Sequence, residues 1–316
     1  MVLGIKTIGV IGTGVIGSSW TALFLAKGLR VLVSDPAPGA KDKLAAYIKK
    51  EWPILERMGL TPGASQTNYE FVDDVANHLD RVDFVQENAP EQVAFKSKLF
   101  ALIDQKAHRD MIIASSSSGI PSSQFIKDCK VNPGRILIGH PFNPPHLIPL
   151  VEVVPHAQTS STSISTAIEF YRSLGKSPIL VKKETPGFIA NRLQAAIIAE
   201  AFSLVANGVA SPQDVDAAIT TGLGVRWALS GPYMTAVAGG GGGIDGFSNM
   251  MKKLGPAVEG WLGDMERHKF EFSDENVGAL NESLKQWLEK EDLVALSERR
   301  EEVLLELLRL KKEHNV

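Results

Sequence analysis

A doubly wound α/β sheet followed by an all-α C-terminal domain is the fold class that this 316-residue sequence predicts. Three observations predict it. Short β-branched runs alternate with helix-patterned stretches through the first half, the signature of parallel strands joined by helical crossovers. A glycine-rich turn, Gly12-Thr13-Gly14-Val15-Ile16-Gly17, separates the first strand-like run from the first helix-like one. Beyond Pro186 the strand-like runs stop.

Taken in order, residues 5–11 form a short apolar run, a buried strand. Residues 15–27 carry Trp20, Leu23, Phe24 and Lys27 at helical spacing. Residues 29–34 are a second strand, 38–58 a helix, 82–87 a third strand and 91–104 a helix. Residues 111–114 and 135–139 complete the strands expected from pattern. Residues 187–206 are apolar on nearly every side, so that helix is expected to be buried. Ser211-Pro212 is a helix start, with serine at the cap and proline in the first turn. The last helix, about residues 292–312, bears an apolar stripe of Val303, Leu304, Leu307 and Leu308, suited to packing within the chain or across a dimer. These patterns place a domain boundary near residue 185, giving domains 1–185 and 186–316. The five glycines at 239–243 read as a flexible loop in preference to a substrate-closing lid.

Composition bounds the function. The chain is 44% hydrophobic and 22% charged, ordinary for a globular enzyme. A formal net charge of -3 gives no global attraction for nucleic acid or acidic membrane. The single cysteine, Cys129, excludes an intramolecular disulfide. No apolar run is long enough to span a bilayer, and a cytoplasmic location is the expectation.

The glycine turn fits G-x-G-x-x-G in the context that makes it informative, between a strand and a helix. The glycines permit a tight turn, close backbone approach to a pyrophosphate and close helix–strand packing, which makes the sheet Rossmann-like. The helix start then offers free N–H groups, including those of Val15 and Ile16, to phosphate oxygens. Asp35 ends the second strand, twenty-one residues after Gly14. There a carboxylate would accept from an adenosine ribose and repel a 2′-phosphate, favouring NAD over NADP; otherwise it is a solvated strand-end acid.

Glu152 interrupts the apolar run Leu150-Val151-Glu152-Val153, and His140 stands twelve residues earlier in a proline-rich segment. A buried acid needs a partner, and a carboxylate on one imidazole nitrogen raises the basicity of the other. That is an orienter and a base, as proton removal from an alcohol requires. Spacing alone leaves a purely structural His–Glu pair open.

Six segments in order resemble the L-3-hydroxyacyl-CoA dehydrogenase superfamily: residues 12–17, 91–96, 115–120, 140–144, 150–153 and 186–192. Within it, residues 140–145, 153–156, 191–194 and 222–228 and the late Arg299-Arg300 helix resemble the lambda-crystallin branch, the L-gulonate 3-dehydrogenases. The resemblance implies His140 as catalytic base, Glu152 as its partner, Ser118 on the reacting oxygen and Asn191 completing the site. It implies cofactor contacts from Gly12, Gly14, Val15, Ile16, Gly17, Asp35, Glu91 and Lys96, with NAD as cofactor and no metal. The four-serine run 115–118 replaces an Asn-Thr-Ser pattern, so Ser117 competes with Ser118 for the role.

Arg226 marks the substrate. Thioester-using relatives carry a Gly-Tyr-Pro-Met-Gly-Pro type of stretch where this chain has Val225-Arg226-Trp227-Ala228-Leu229-Ser230. A guanidinium there could hold a free carboxylate, or be structural, paired to an acid or stacked on Trp227. The resemblance implies a small 3-hydroxy acid as partner, L-gulonate first, and a homodimer built through the helical domain. Carnitine, 3-hydroxybutyrate and a 3-hydroxyacyl-CoA are alternatives, and a non-catalytic crystallin-like protein is a different one. Carnitine would require an aromatic cage, for which Trp227, Tyr233 and Phe247 are available.

Overall fold

The computed structural model describes residues 4–316. The chain divides into two compact units, the first ending at Arg192 and the second covering Leu193–Val316. The sequence-based boundary at 185 lies just before this division.

The first unit is built on β1 (Thr7–Ile11), α1 (Val15–Ala26), β2 (Arg30–Ser34), α2 (Ala40–Met58), β3 (Tyr69–Phe71) and β4 (Phe84–Glu87). It continues with α3 (Val93–Lys106), β5 (Ile112–Ser115), β6 (Ile136–Pro141), β7 (Leu150–Val154), α4 (Ser161–Ser173) and β8 (Ser177–Leu180). The eight strands form one sheet in the order β3-β2-β1-β4-β5-β6-β7-β8. The first six run parallel, β7 returns antiparallel to β6, and β8 is parallel to β7. The order 3-2-1-4-5-6 is that of a dinucleotide-binding doubly wound sheet, whose ligand crevice lies outside the carboxyl ends of the strands where the order reverses.

The central strands are mostly apolar because both faces are covered. Val31, Val33, Ile112, Ala114 and Leu137 pack on one face with Trp20 and Phe24 of α1 and Phe170 and Tyr171 of α4. Their alternates Leu32, Ile113, Ile136 and Ile138 pack on the other with Phe100 and Ile103 of α3. This is the two-residue period of a strand seen from both sides.

After α5 (Ala190–Ala206) the second unit is helical: α6 (Pro212–Ala218), α7 (Gly224–Trp227), α8 (Pro232–Gly239), α9 (Gly246–Arg267), α10 (Asp274–Leu288) and α11 (Leu293–His314). Ser211 caps α6 through Asp214 N–H, with Pro212 in the first turn. Three expectations change here. The apolar α5 is largely exposed in the single chain, with Ser203 its one buried residue; Leu193 is 57% exposed. On α11 the buried residue is Leu305, while Val303 points outward at 68% exposure, so the stripe is rotated from the expected one. The glycine run is a tight helix–helix junction. A Cβ on Gly240 would lie 1.8 Å from the Gly246 carbonyl oxygen, so glycine lets α8 and α9 meet backbone to backbone. Among the described residues, no helix is long and apolar enough to cross a membrane.

Candidate active site

The turn between β1 and α1 has the form a pyrophosphate requires. Gly12 sits at φ +86°, and a Cβ on Gly17 would fall 1.9 Å from the Gly12 carbonyl oxygen, so the helix can approach the strand only with glycine there. A Cβ on Gly14 would meet nothing within 4 Å, and no side chain caps α1. The first-turn N–H groups of Val15 and Ile16 and the positive helix end therefore remain for an anion. Asp35 follows β2 and accepts from Thr13 N–H (2.6 Å), Thr13 Oγ1 (2.9 Å) and Ala37 N–H (2.8 Å). Partial burial raises its pKa, but these bonds and Lys43 outweigh it, and the net shift is downward. An ionised acid beside the glycine turn fits a ribose diol and opposes a 2′-phosphate.

His140 and Glu152 are held together by sheet register. They stand directly opposite in the antiparallel β6–β7 pair. His140 Nδ1 lies 2.8 Å from Glu152 Oε2. The other oxygen, Oε1, accepts from Ile189 N–H (2.8 Å) and Ala190 N–H (3.0 Å), the start of α5. Burial raises the Glu152 pKa, but the bonds from His140, Ala190 and Ile189 prevail and lower it overall. Glu152 is thus an ionised acceptor, Nδ1 is the donor, and the lone pair of His140 is on Nε2. Among the described residues nothing hydrogen-bonds Nε2, and it is not a buried orphan atom, so it remains accessible. The rings of Phe142 and Phe188 flank the imidazole at 5.7 and 5.6 Å between centroids.

Ser117 and Ser118 differ in burial. Ser117 is buried, with Oγ donating to Glu91 (2.9 Å) and lying 3.0 Å from the Ile120 carbonyl oxygen. Ser118 is exposed; its N–H donates to Glu91 Oε1 (2.5 Å), and its hydroxyl does so more weakly (3.2 Å). Asn191 Nδ2 donates to the Ser118 carbonyl (2.7 Å). Since Asn191 follows the residue whose N–H caps Glu152, a chain of local bonds ties His140, Glu152, Asn191, Ser118 and Glu91 together.

Lys96, expected with Glu91 near the cofactor, has a second acid beside it. Its ammonium is buried and donates to both oxygens of Glu87 (2.8 and 3.0 Å) and to the Ala89 carbonyl (3.2 Å), while Glu91 is 3.9 Å away. With its donors occupied, Lys96 supports the Glu91 loop from behind. Glu87, which sequence reasoning missed, also accepts from Ser115 Oγ (2.5 Å) and Ala89 N–H (2.7 Å). Burial pushes its pKa up against the pull of Lys96. Its one sequence signal was an acid closing an apolar strand.

Arg226 lies on α7 in the second unit. It is exposed, and its guanidinium makes no hydrogen bond or ion pair among the described residues, so the structural-pair alternative loses its acid. Tyr233 and Phe247, in the same unit, place their ring centroids 6.1 Å apart.

Residues 7–185 match the family model of the 3-hydroxyacyl-CoA dehydrogenase NAD binding domain, and residues 187–259 that of the 3-hydroxyacyl-CoA dehydrogenase C-terminal domain. The chain belongs to the 3-hydroxyacyl-CoA dehydrogenase family. It is an NAD-dependent enzyme of that family, and NAD is its cofactor. A 3-hydroxyacyl-CoA dehydrogenase of Gibberella moniliformis is 52% identical over 97% of this chain and 95% of its own length. An L-carnitine dehydrogenase of Pseudomonas aeruginosa is 44% identical over 81% of this chain and 78% of its own, and one of Bacillus cereus is 39% identical over 97% and 92%. Among solved structures, the NAD+-dependent 5-formyl-3-hydroxy-2-methylpyridine 4-carboxylic acid 5-dehydrogenase has a TM-score of 0.76 at 27% identity, covering 98% of this chain and 99% of that one. These relatives carry hydroxyacyl-CoA and carnitine dehydrogenase names, so the family expectation stands and the narrower lambda-crystallin and gulonate branch gives way to them.

Proposed function

We propose that this enzyme oxidises the 3-hydroxyl of a small acid bearing a free carboxylate, with L-carnitine the first candidate. The observation that carries the chemistry is the His140–Glu152 pair, with its proton-accepting Nε2 left open. His140 takes the hydroxyl proton, and the Glu152 carboxylate stabilises the imidazolium that forms. Ser118 and Asn191, tied to one another, orient the oxygen. Bound NAD supplies the hydride acceptor. In the reverse direction His140 is the acid.

The preference for a free acid rests on Arg226, exposed and unpaired among the described residues, and on the carnitine dehydrogenase relatives. The adjacent rings of Tyr233 and Phe247 suit a quaternary ammonium. A 3-hydroxyacyl-CoA is the second reading, favoured by the name of the Gibberella moniliformis relative. L-Gulonate and 3-hydroxybutyrate complete the panel. We also propose a homodimer: α5 exposes Leu193, α8 exposes Tyr233 and Met234, and α9 exposes Trp261 and Leu262, apolar side chains that a second copy would cover.

The test follows NADH formation with L-carnitine, L-gulonate, 3-hydroxybutyrate and 3-hydroxybutyryl-CoA. Turnover of carnitine, with Arg226→Met raising its KM by ~10-fold or more through loss of a charged hydrogen-bond pair, is the expected result. Turnover restricted to the thioester, or an unchanged KM in Arg226→Met, overturns the free-acid assignment.

A further inference from the structure

A second histidine is buried six residues beyond His140. His146 lies in the turn of residues 142–149 that joins β6 to β7, and it is 3% exposed. Its main-chain N–H donates to Ser19 Oγ (2.9 Å), and its Nδ1 lies 2.8 Å from the same oxygen. The Tyr47 hydroxyl is 3.4 Å from Nδ1, and Nε2 is 3.4 Å from Glu51 Oε2. Ser19 belongs to α1, while Tyr47 and Glu51 belong to α2; Ser19 and Glu51 are themselves buried.

The direction of this chain is set by the Glu51 carboxylate, 3.4 Å from Nε2, which favours a ring proton there over a bare lone pair. Ser19 Oγ already accepts the His146 N–H, so its own hydrogen is available for Nδ1. The ring proton then belongs on Nε2, facing the Glu51 carboxylate. Nε2 makes no aligned hydrogen bond there, so its contact with Glu51 is a long electrostatic one. Glu51 is held below the usual carboxylate range by His146 first and by Lys50 as well, although burial opposes them.

The same turn is gripped from a second direction. The buried Lys176 ammonium donates to the carbonyls of Pro145 and Ile148, on either side of His146. It stands 5.6 Å from the centroid of the Trp20 ring, the residue after Ser19 on α1. An apolar side chain could fill the His146 site without desolvating an imidazole. What it could not do is add the imidazole's own bond to Ser19 and its contact with Glu51 to the main-chain link that any residue at 146 would keep.

We propose that His146 is a positioning residue: through Ser19 it locks the β6–β7 turn onto α1, through Glu51 it holds the turn against α2, and it so fixes the aim of His140 toward a dinucleotide bound at the start of α1. It rests on His140 being the base. Loosening the turn leaves the phosphate-binding N–H groups intact and disturbs only the alignment of the reacting groups.

The experiment compares His146→Leu, His146→Gln, Ser19→Ala and the Ser19→Ala/His146→Leu double variant, with His140→Gln alongside. Turnover, KM for NAD, NADH affinity by fluorescence and thermal midpoint are read for each. His146→Leu and Ser19→Ala should each lower kcat ~10-fold or more, the scale of small misalignment, with NADH affinity nearly unchanged. His146→Gln, whose amide oxygen can accept from Ser19 and whose amide hydrogens can face Glu51, should recover most of kcat. The losses in the double variant should be less than additive, because both single variants remove the bond between Ser19 Oγ and the imidazole. Parental kcat in folded His146→Leu, additive losses in the double variant, or failure of glutamine to rescue overturns the proposal. Should His146→Leu not fold, Ser19→Ala and His146→Gln decide by the same criteria. Parental activity in His140→Gln would instead overturn the assignment of the base.

Discussion

Replacing Glu152 by glutamine tests the base at a single oxygen. The carboxylate takes three hydrogen bonds: Ile189 N–H and Ala190 N–H on Oε1, and His140 Nδ1–H on Oε2. Glutamine is isosteric but has one acceptor end. If its oxygen stays with the two backbone donors, two bonds survive and the amide NH2 faces Nδ1. If it turns over, one bond survives and two partly buried N–H groups confront a donor. The first arrangement wins by one hydrogen bond and one avoided orphan, roughly 1–3 kcal/mol. It forces Nδ1 to accept, moves the ring proton to Nε2 and leaves His140 no lone pair for the substrate. The expected loss in kcat is on the order of 10⁴-fold, the scale of a wrong tautomer in a comparable orienter pair. Steady-state NADH formation measures it, and nitrogen NMR of His140 reports the tautomer. NADH affinity should be retained, since α1 is untouched. A Glu152→Gln enzyme within ~10-fold of the parent, still protonated on Nδ1, would refute the assignment.

Three further outcomes follow from the same structure. Gly17→Ala places a methyl 1.9 Å from a backbone oxygen that cannot move aside, so NADH binding should be lost or the thermal midpoint should fall sharply; parental affinity would contradict the turn geometry. Asp35, Glu51 and Glu152 all have lowered folded pKa values, so their stabilisation is complete above the unfolded carboxylate values and is lost as pH falls through the folded ones. Buried Glu87, shifted upward, acts in the opposite sense, and acid unfolding of Glu152→Gln should show a smaller pH dependence than that of the parent. Sedimentation equilibrium should report a dimer, and Leu193→Glu, at a 57% exposed position on α5, should shift it toward monomer; a parental profile would place the interface elsewhere.

The sheet class was legible because the central parallel strands, covered on both faces, are mostly apolar, and because the glycine turn sits between strand and helix. β3 escaped because three residues carry no period. β7 registered only as an apolar run around Glu152, and β8 was hidden by Pro178 and its exposed edge. The His140–Glu152 pair was readable since the two residues face each other across neighbouring strands. Glu87 escaped because it meets Lys96 only when α3 packs back on the sheet. His146 was silent for the same reason: Ser19 is 127 residues away, and no local pattern announces a contact between α1 and the turn. The burial of α5 failed where single-chain reasoning must, since an apolar helix does not say whether its cover lies in the same chain.

Glu152 begins α5 as well as steering His140. The stretch from Pro186 to Arg192 is therefore tied to the proposed catalytic pair of the first unit, however helical it looks. A chimera that grafts another helical unit onto this sheet should be spliced after Arg192. A cut at residue 185 would import foreign backbone at Ile189 and Ala190 and put at risk the two donors that hold the acid in place.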